Sequence, residues 1–134
     1  MEAVEVLRKK EQQAAIQSDF ELVKKHEKAI FEDGFSFIGG NPNGDITLVE
    51  FVDYRCGYCG KQAYDYAKLL ESHKNVQIIY LEFPIFGGIS ETASKLAMNV
   101  WQQKPDSYFQ IHNEFMKLGP KMKRNNVLIK GTQG

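Results

Sequence analysis

The sequence predicts an α/β fold built on a parallel βαβ unit, and three observations carry that prediction. Two runs rich in β-branched and aromatic residues, Ile46-Thr47-Leu48-Val49-Glu50-Phe51-Val52 and Val76-Gln77-Ile78-Ile79-Tyr80-Leu81-Glu82-Phe83, read as buried strands. Between them Ala63, Tyr66, Ala67 and Leu70 recur at i, i+3, i+4 and i+7, the spacing of one helix face. Turn residues bound both runs: Asn43-Gly44-Asp45 before the first, Pro84 and Gly87-Gly88 after the second. Two such strands joined by a helix pair in parallel with a right-handed crossover.

The remaining elements follow in chain order. Residues 1–33 read as a helical extension, set apart from a domain over residues 34–134. Ser18 with Glu21 fits a capping box, and the pattern runs on through Leu22, Val23, Ile30 and Phe31 to Gly34, a natural stop. An earlier stretch carries Val4, Leu7, Ala14, Ala15 and Ile16 among charges. Such an extension either packs on its own domain or serves as an oligomerisation arm. Phe35 to Ile38 reads as a short edge strand, followed by a turn-rich connector from Gly39 to Gly44. The helix after the first strand ends near Ser72-His73-Lys74-Asn75. Ser90 reads as the N-cap of a helix whose apolar face is Ile89, Ala93, Leu96, Ala97, Val100 and Trp101. A shorter helix after Lys104-Pro105 uses Tyr108, Ile111, His112 and Phe115, and Gly119-Pro120 breaks it. Lys121 to Gly134 begin one more helix.

Composition narrows the class. A chain of 134 residues is one domain at most, and 43% hydrophobic residues suit a soluble globular protein. Its 17 basic and 17 acidic residues cancel, which offers nothing to a phosphate backbone, so nucleic acid is not an expected partner. No apolar run approaches the length of a membrane span. Met1 to Lys10 is charged throughout and lacks the apolar stretch of a secretory signal.

The chemistry concentrates in Cys56-Gly57-Tyr58-Cys59, which holds both cysteines and lies between the first strand and the helix after it. Free backbone N–H groups and the helix dipole stabilise a thiolate at such a junction, and thiolate is the form that attacks disulfides. The motif therefore points to thiol–disulfide exchange, with Cys56 the exposed nucleophile and Cys59 the buried resolving thiol. Gly57 and Tyr58 tune its redox poise. Zinc would need two more ligands, and His26, His73 and His112 are scattered, so no metal or other cofactor is expected. Those histidines are simplest as surface or packing residues. Glu50 is a carboxylate inside an apolar strand, six residues before Cys56. Either it lies under the dithiol and relays protons to Cys59, or its side of the strand meets solvent or a lysine. Arg55 and Lys61 add positive potential beside the dithiol. Tyr64, Tyr66, Tyr108, Phe109 and Phe115 read as core.

The run from Gly39 through Cys59, with Glu82-Phe83-Pro84-Ile85 and the Ala-rich helix after it, closely resembles the DsbA-like thiol:disulfide oxidoreductases. The nearest subgroup carries an N-terminal helical extension and includes ScsC-like and Com1-like proteins. The resemblance implies a thioredoxin-like fold with a helical insertion, oxidation or isomerisation of protein thiols, a recycling redox partner and a periplasmic or envelope location. It assigns Cys56 as nucleophile, Cys59 as resolving cysteine and Glu50 as buried acid. It also raises the prospect of oligomerisation through residues 1–33. Family members carry two more strands, a final helix and a cis-proline loop; here Gly131-Thr132 is followed by Gln133, and the resemblance there is chance. The expectation is a domain whose C-terminal ββα part is missing, with an open sheet edge that a second copy would cover. The rival reading is a non-catalytic interaction module that keeps the CxxC without the substrate-binding loop.

Overall fold

The computed structural model describes the backbone of residues 1–132 and the side chains of residues 1–128. The chain divides into two compact units, Met1–Gly34 and the residues from Phe35 onward.

The first unit is α1 (Glu2–Lys25) and α2 (Glu27–Phe31). Glu2 and Glu5 in the first turn of α1, and Lys24 and Lys25 in its last, complement the helix dipole. The expected capping box is not a helix start: Ser18 lies within α1. Gln, Ala, Glu and Lys around it favour helix, and a serine caps only where the chain has another reason to begin one. The break falls at His26, whose φ of −106° and ψ of 15° leave the helical basin. No residue of α1 or α2 is buried.

The second unit contains β1 (Phe37–Gly40), β2 (Ile46–Val52), α3 (Gly57–Ser72), β3 (Val76–Glu82), α4 (Gly88–Gln103), α5 (Tyr108–Leu118) and α6 (Arg124–Thr132). Its sheet has the order β1-β3-β2. β2 and β3 run parallel with Glu50 beside Tyr80, and β1 joins β3 antiparallel with Phe37 beside Tyr80. Alternation then places Phe37, Leu48, Glu50, Val52, Ile78, Tyr80 and Glu82 on one face. Helices α3, α4 and α5 pack there, and Val52, Ile78, Tyr80, Ala93, Ala97, Tyr108, Ile111 and Phe115 form the centre of the core. This is the α/β, thioredoxin-like architecture with a helical insertion.

Three boundaries differ from expectation. β1 begins two residues later than the Phe35 start and ends two residues later, taking in two glycines assigned to the connector. Gly40, at φ +82°, runs so close to its neighbours that a Cβ would lie 2.6 Å from Val76 O. β3 stops at Glu82 rather than Phe83. Helix α4 begins at Gly88, so Ser90 lies in its first turn and is no cap; its buried hydroxyl bonds to Asp53 instead. The last helix forms as expected, with Gly131 and Thr132 at its end; Gln133 and Gly134 lie outside the described residues.

The connector into β2 is a tight turn. Asn41 Oδ1 accepts from Asn43 N (2.9 Å), Asn41 O from Gly44 N (2.9 Å), and Asn41 Nδ2 donates to Lys74 O (2.8 Å). A Cβ on Gly44 would lie 2.5 Å from Asn75 O, a backbone atom held next to the start of β3. Gly44→Ala is therefore expected to lower the unfolding free energy by about 1–3 kcal/mol, the usual range for overpacking. A urea midpoint equal to that of the parent chain would show that the turn gives way freely.

Candidate active site: a dithiol between strand and helix

The chain leaves β2 at Val52 and reaches α3 in four residues, Asp53 to Cys56. Two side chains pin this turn from opposite directions. Asp53 Oδ1 accepts from Arg55 N (2.8 Å) and Ser90 Oγ (2.7 Å), while Oδ2 accepts from Phe86 N (3.1 Å). Its own carbonyl accepts from Cys56 N (3.0 Å). Tyr54, fully buried, donates its hydroxyl to Glu82 Oε1 (2.6 Å). Glu82 also accepts from Tyr108 OH (2.9 Å) and Ser94 Oγ (2.7 Å). Since the Tyr54 proton points at Glu82, the contact from Tyr54 OH to His112 Nδ1 (3.1 Å) assigns the proton there to the imidazole. Burial pushes His112 down to about 4, so the ring is neutral near pH 7, as that assignment requires.

Cys56 is the N-cap of α3, in extended backbone, and its Sγ accepts from Cys59 N at 3.4 Å. Both cysteines are free and half-buried, so the expected contrast between an exposed Cys56 and a buried Cys59 is not a contrast in exposure. Burial pushes the Cys59 thiol up to about 11, opposed by a backbone hydrogen bond from Asp53 and reinforced by Cys56 and the Glu50 charge. Between the cysteines, Gly57 faces Pro120, whose Cγ would touch a Cβ at 3.6 Å, and Tyr58 stands out 87% exposed.

Glu50 lies on the helix-covered face, only 6% exposed, and neither carboxylate oxygen has a hydrogen-bond partner. Burial lifts its carboxyl to about 7. Its charge also adds to the upward shifts of Cys59, Tyr66 and Tyr80, each of which burial drives first. Of the two sequence readings, the solvent-or-lysine one does not describe this environment. Lys61 is exposed, whereas Arg55 is half-buried with an unpartnered Nε.

Tyr108 and Phe115 are core residues as expected, with Tyr66 and Phe109 packed against them. Tyr64 is not: it is 64% exposed, with Lys68 Nζ 4.4 Å from its ring centroid. His26 and His73 are surface residues and His112 a packing residue. Sequence reasoning did not single out Asp53, Tyr54 or Glu82. A signal existed for two of them, since Glu82 is a second acid inside an apolar strand and Asp53 abuts the dithiol turn. Among the described residues no group of three or more His, Cys, Asp or Glu is placed to hold a metal ion. No described helix is long and apolar enough to cross a membrane.

Comparison with known proteins agrees with this geometry. A family model described as thioredoxin matches residues 32–130. ScsC of Proteus mirabilis, in a transitional conformation, superposes with a TM-score of 0.78 at 22% identity, over 92% of this chain and 59% of that one. The thiol-disulfide exchange protein alpha-DsbA2 of Wolbachia pipientis gives 0.75 at 24% identity, over 83% and 59%. A thioredoxin-like oxidoreductase of Silicibacter pomeroyi gives 0.72 at 33% identity, over 79% and 60%. The chain thus spans about three fifths of the length of these relatives. No curated protein matches it. A family match over residues 32–130, on a strand–CxxC–helix unit with its helical insertion, makes this chain a member of the thioredoxin family, similar to its DsbA-like branch.

Proposed function

We propose that this chain exchanges disulfides with protein thiols through Cys56 and Cys59. The observation that carries the reading is Cys56 as the N-cap of a 16-residue helix, its Sγ receiving the Cys59 N–H. That position stabilises negative charge on sulfur. In the oxidised form, a substrate thiolate attacks Cys56 Sγ of the Cys56–Cys59 disulfide; the new S–S bond joins substrate to Cys56, and Cys59 leaves with the electron pair. A second substrate thiolate then attacks the substrate sulfur of that mixed disulfide and Cys56 departs. The substrate dithiol is oxidised and the chain's disulfide reduced, two electrons passing between them.

Cys59 is the difficult leaving group, since its thiol sits near 11. Glu50, buried beside it with a carboxyl near 7, supplies that proton, and in the reverse direction its carboxylate takes one. Gly57 and Tyr58 set the poise of the pair. Partners on this reading are protein thiols and disulfides and a recycling redox protein, in the periplasm or cell envelope as the family likeness implies. Residues 1–33 serve self-association: α1 buries no side chain and leaves Val4, Leu7, Ile16 and Phe20 exposed. The edge of β2 left unpaired among the described residues is the other surface available for pairing with a second copy.

Oxidative refolding of a reduced, disulfide-containing test protein with catalytic amounts of the chain is expected to accelerate, and Cys56→Ser to abolish the effect. A folded chain without turnover would instead favour the interaction-module reading. Glu50→Gln is expected to slow disulfide reduction at neutral pH by about 100-fold, the scale of one general acid–base group. Unchanged exchange rates would remove Glu50 from the mechanism.

Glu50 also predicts a stability profile for the reduced chain. Its folded pKa of about 7 exceeds the ordinary 4.5, so the native state binds the proton more tightly than the unfolded state. Its contribution is complete below 4.5 and is lost as pH rises through 7, amounting to about 3 kcal/mol. Urea unfolding from pH 4.5 to 8 should show that decline in the parent and a flatter profile in Glu50→Gln; parallel profiles would contradict the assignment. Sedimentation is expected to show a dimer or larger species, and a well-folded monomer would count against self-association.

A further inference from the structure

We propose that Arg55 selects substrates at this site by receiving a carboxylate from the peptide segment that carries the reacting cysteine. The inference rests on the exchange function proposed above and names the class of peptide it favours.

Arg55 immediately precedes Cys56, and its backbone is fixed, because its N–H is bound to Asp53 Oδ1 at 2.8 Å. The fold leaves part of its guanidinium unmet. Nε is buried without a hydrogen-bond partner, and among the described residues no ion pair reaches the head group. A buried donor left unmet is costly, and the half-buried Arg55 relieves that cost by swinging its fork outward onto a carboxylate, which it matches in two parallel hydrogen bonds.

The carboxylates of the surrounding turn do not meet that need. Both oxygens of Asp53 are occupied by Arg55 N, Ser90 Oγ and Phe86 N. Glu50 is buried, its oxygens have no partner, and burial alone accounts for its shift, with no cation offsetting it. Arg55, the exposed Lys61 and the N–H groups that open α3 give positive charge to the segment around Cys56. Tyr58 and Phe86, 87% and 57% exposed, are apolar side chains open to a peptide, and the Phe86 backbone is tied to the dithiol turn by its N–H bond to Asp53. A peptide joined to Cys56 Sγ brings the residues flanking its own cysteine to the residue flanking Cys56. An acidic residue there meets the fork, and a basic one meets like charge.

The test uses the reduced full chain and short peptides whose cysteine is activated as a mixed disulfide with thionitrobenzoate and flanked by either Glu or Lys. The Cys56 thiolate attacks the peptide sulfur, the Cys56–peptide S–S bond forms, and thionitrobenzoate leaves with the electron pair and is read by its absorbance. Each rate is divided by that of 2-mercaptoethanol with the same peptide, which removes intrinsic differences in reactivity.

The Glu peptide is expected to react about fivefold faster than the Lys peptide, the scale of one partly exposed ion pair. The preference should fall to about onefold in Arg55→Gln, invert in Arg55→Glu and fade at high salt. A ratio equal in all three chains, or one favouring Lys in the parent, overturns the proposal. Because Nε is unpartnered and no ion pair of the guanidinium is found among the described residues, these variants should fold, and urea midpoints close to the parent's confirm it. The charge order is read from Cys56 alone. Lost refolding activity with the order intact removes the exchange function and leaves Arg55 selection standing; turnover without the order removes Arg55 alone.

Discussion

The second unit is organised around one half-buried carboxylate. Glu82, at the end of β3, accepts hydroxyl hydrogen bonds from Tyr54 in the dithiol turn, Ser94 in α4 and Tyr108 in α5. Three elements distant in sequence thus converge on two oxygens. Their hydroxyls cannot be replaced by methyl groups without leaving the acid short of partners in an apolar layer, which is where an unmet polar group costs most. His112 completes the arrangement by donating to the Tyr54 oxygen while stacking against Phe109 and Tyr108. Burial still lifts the Glu82 carboxyl above its ordinary range, against the pull of three donors.

Glu50 shows what the same sheet face does to an acid without donors. It lies two residues from the level of Glu82 on the neighbouring strand, buried where Glu82 is half-buried, and no hydroxyl reaches it. Burial acts unopposed and brings its carboxyl to about 7. The two acids differ in their partners: three hydroxyls on Glu82 and none on Glu50. One fastens α4, α5 and the dithiol turn, and the other keeps an unpartnered carboxyl that burial lifts to about 7.

That division explains what could and could not be read from the sequence. β2 was legible to its end residues, because a seven-residue run of β-branched and aromatic side chains between turns admits few alternatives. The dithiol at the start of α3 was equally legible, since position along the chain alone places it. The Ser18 capping box failed because a cap signal describes a preference, and the flanking residues carried the helix through it. The depth of Glu50 was undecidable because strand alternation says which residues share a face but not which face the crossover helix covers. The Glu82 cluster was invisible for a plainer reason: Tyr54, Ser94 and Tyr108 lie 28, 12 and 26 residues away in the chain. Arg55 was noticed for its charge, while its lack of a partner needed coordinates.

The dithiol turn needs such fastening because of where β2 lies. Strand order β1-β3-β2 leaves the strand that delivers the cysteines paired along one side among the described residues. A strand end held by a single parallel ladder frays more readily than one held on both sides, since each lost hydrogen bond frees the next. The chain places several short side-chain bonds at that point. Asp53 ties the turn to the β3–α4 connection, Tyr54 ties it to Glu82, and Phe83 N reaches back to Val52 O at 2.8 Å. Each tie crosses from β2 or its turn to β3 or to the segment after it. The position of Cys56 therefore depends on acid-centred hydrogen bonds as much as on sheet pairing. Substitutions at Asp53 or Tyr54 would loosen the dithiol turn while leaving both sulfurs in the chain.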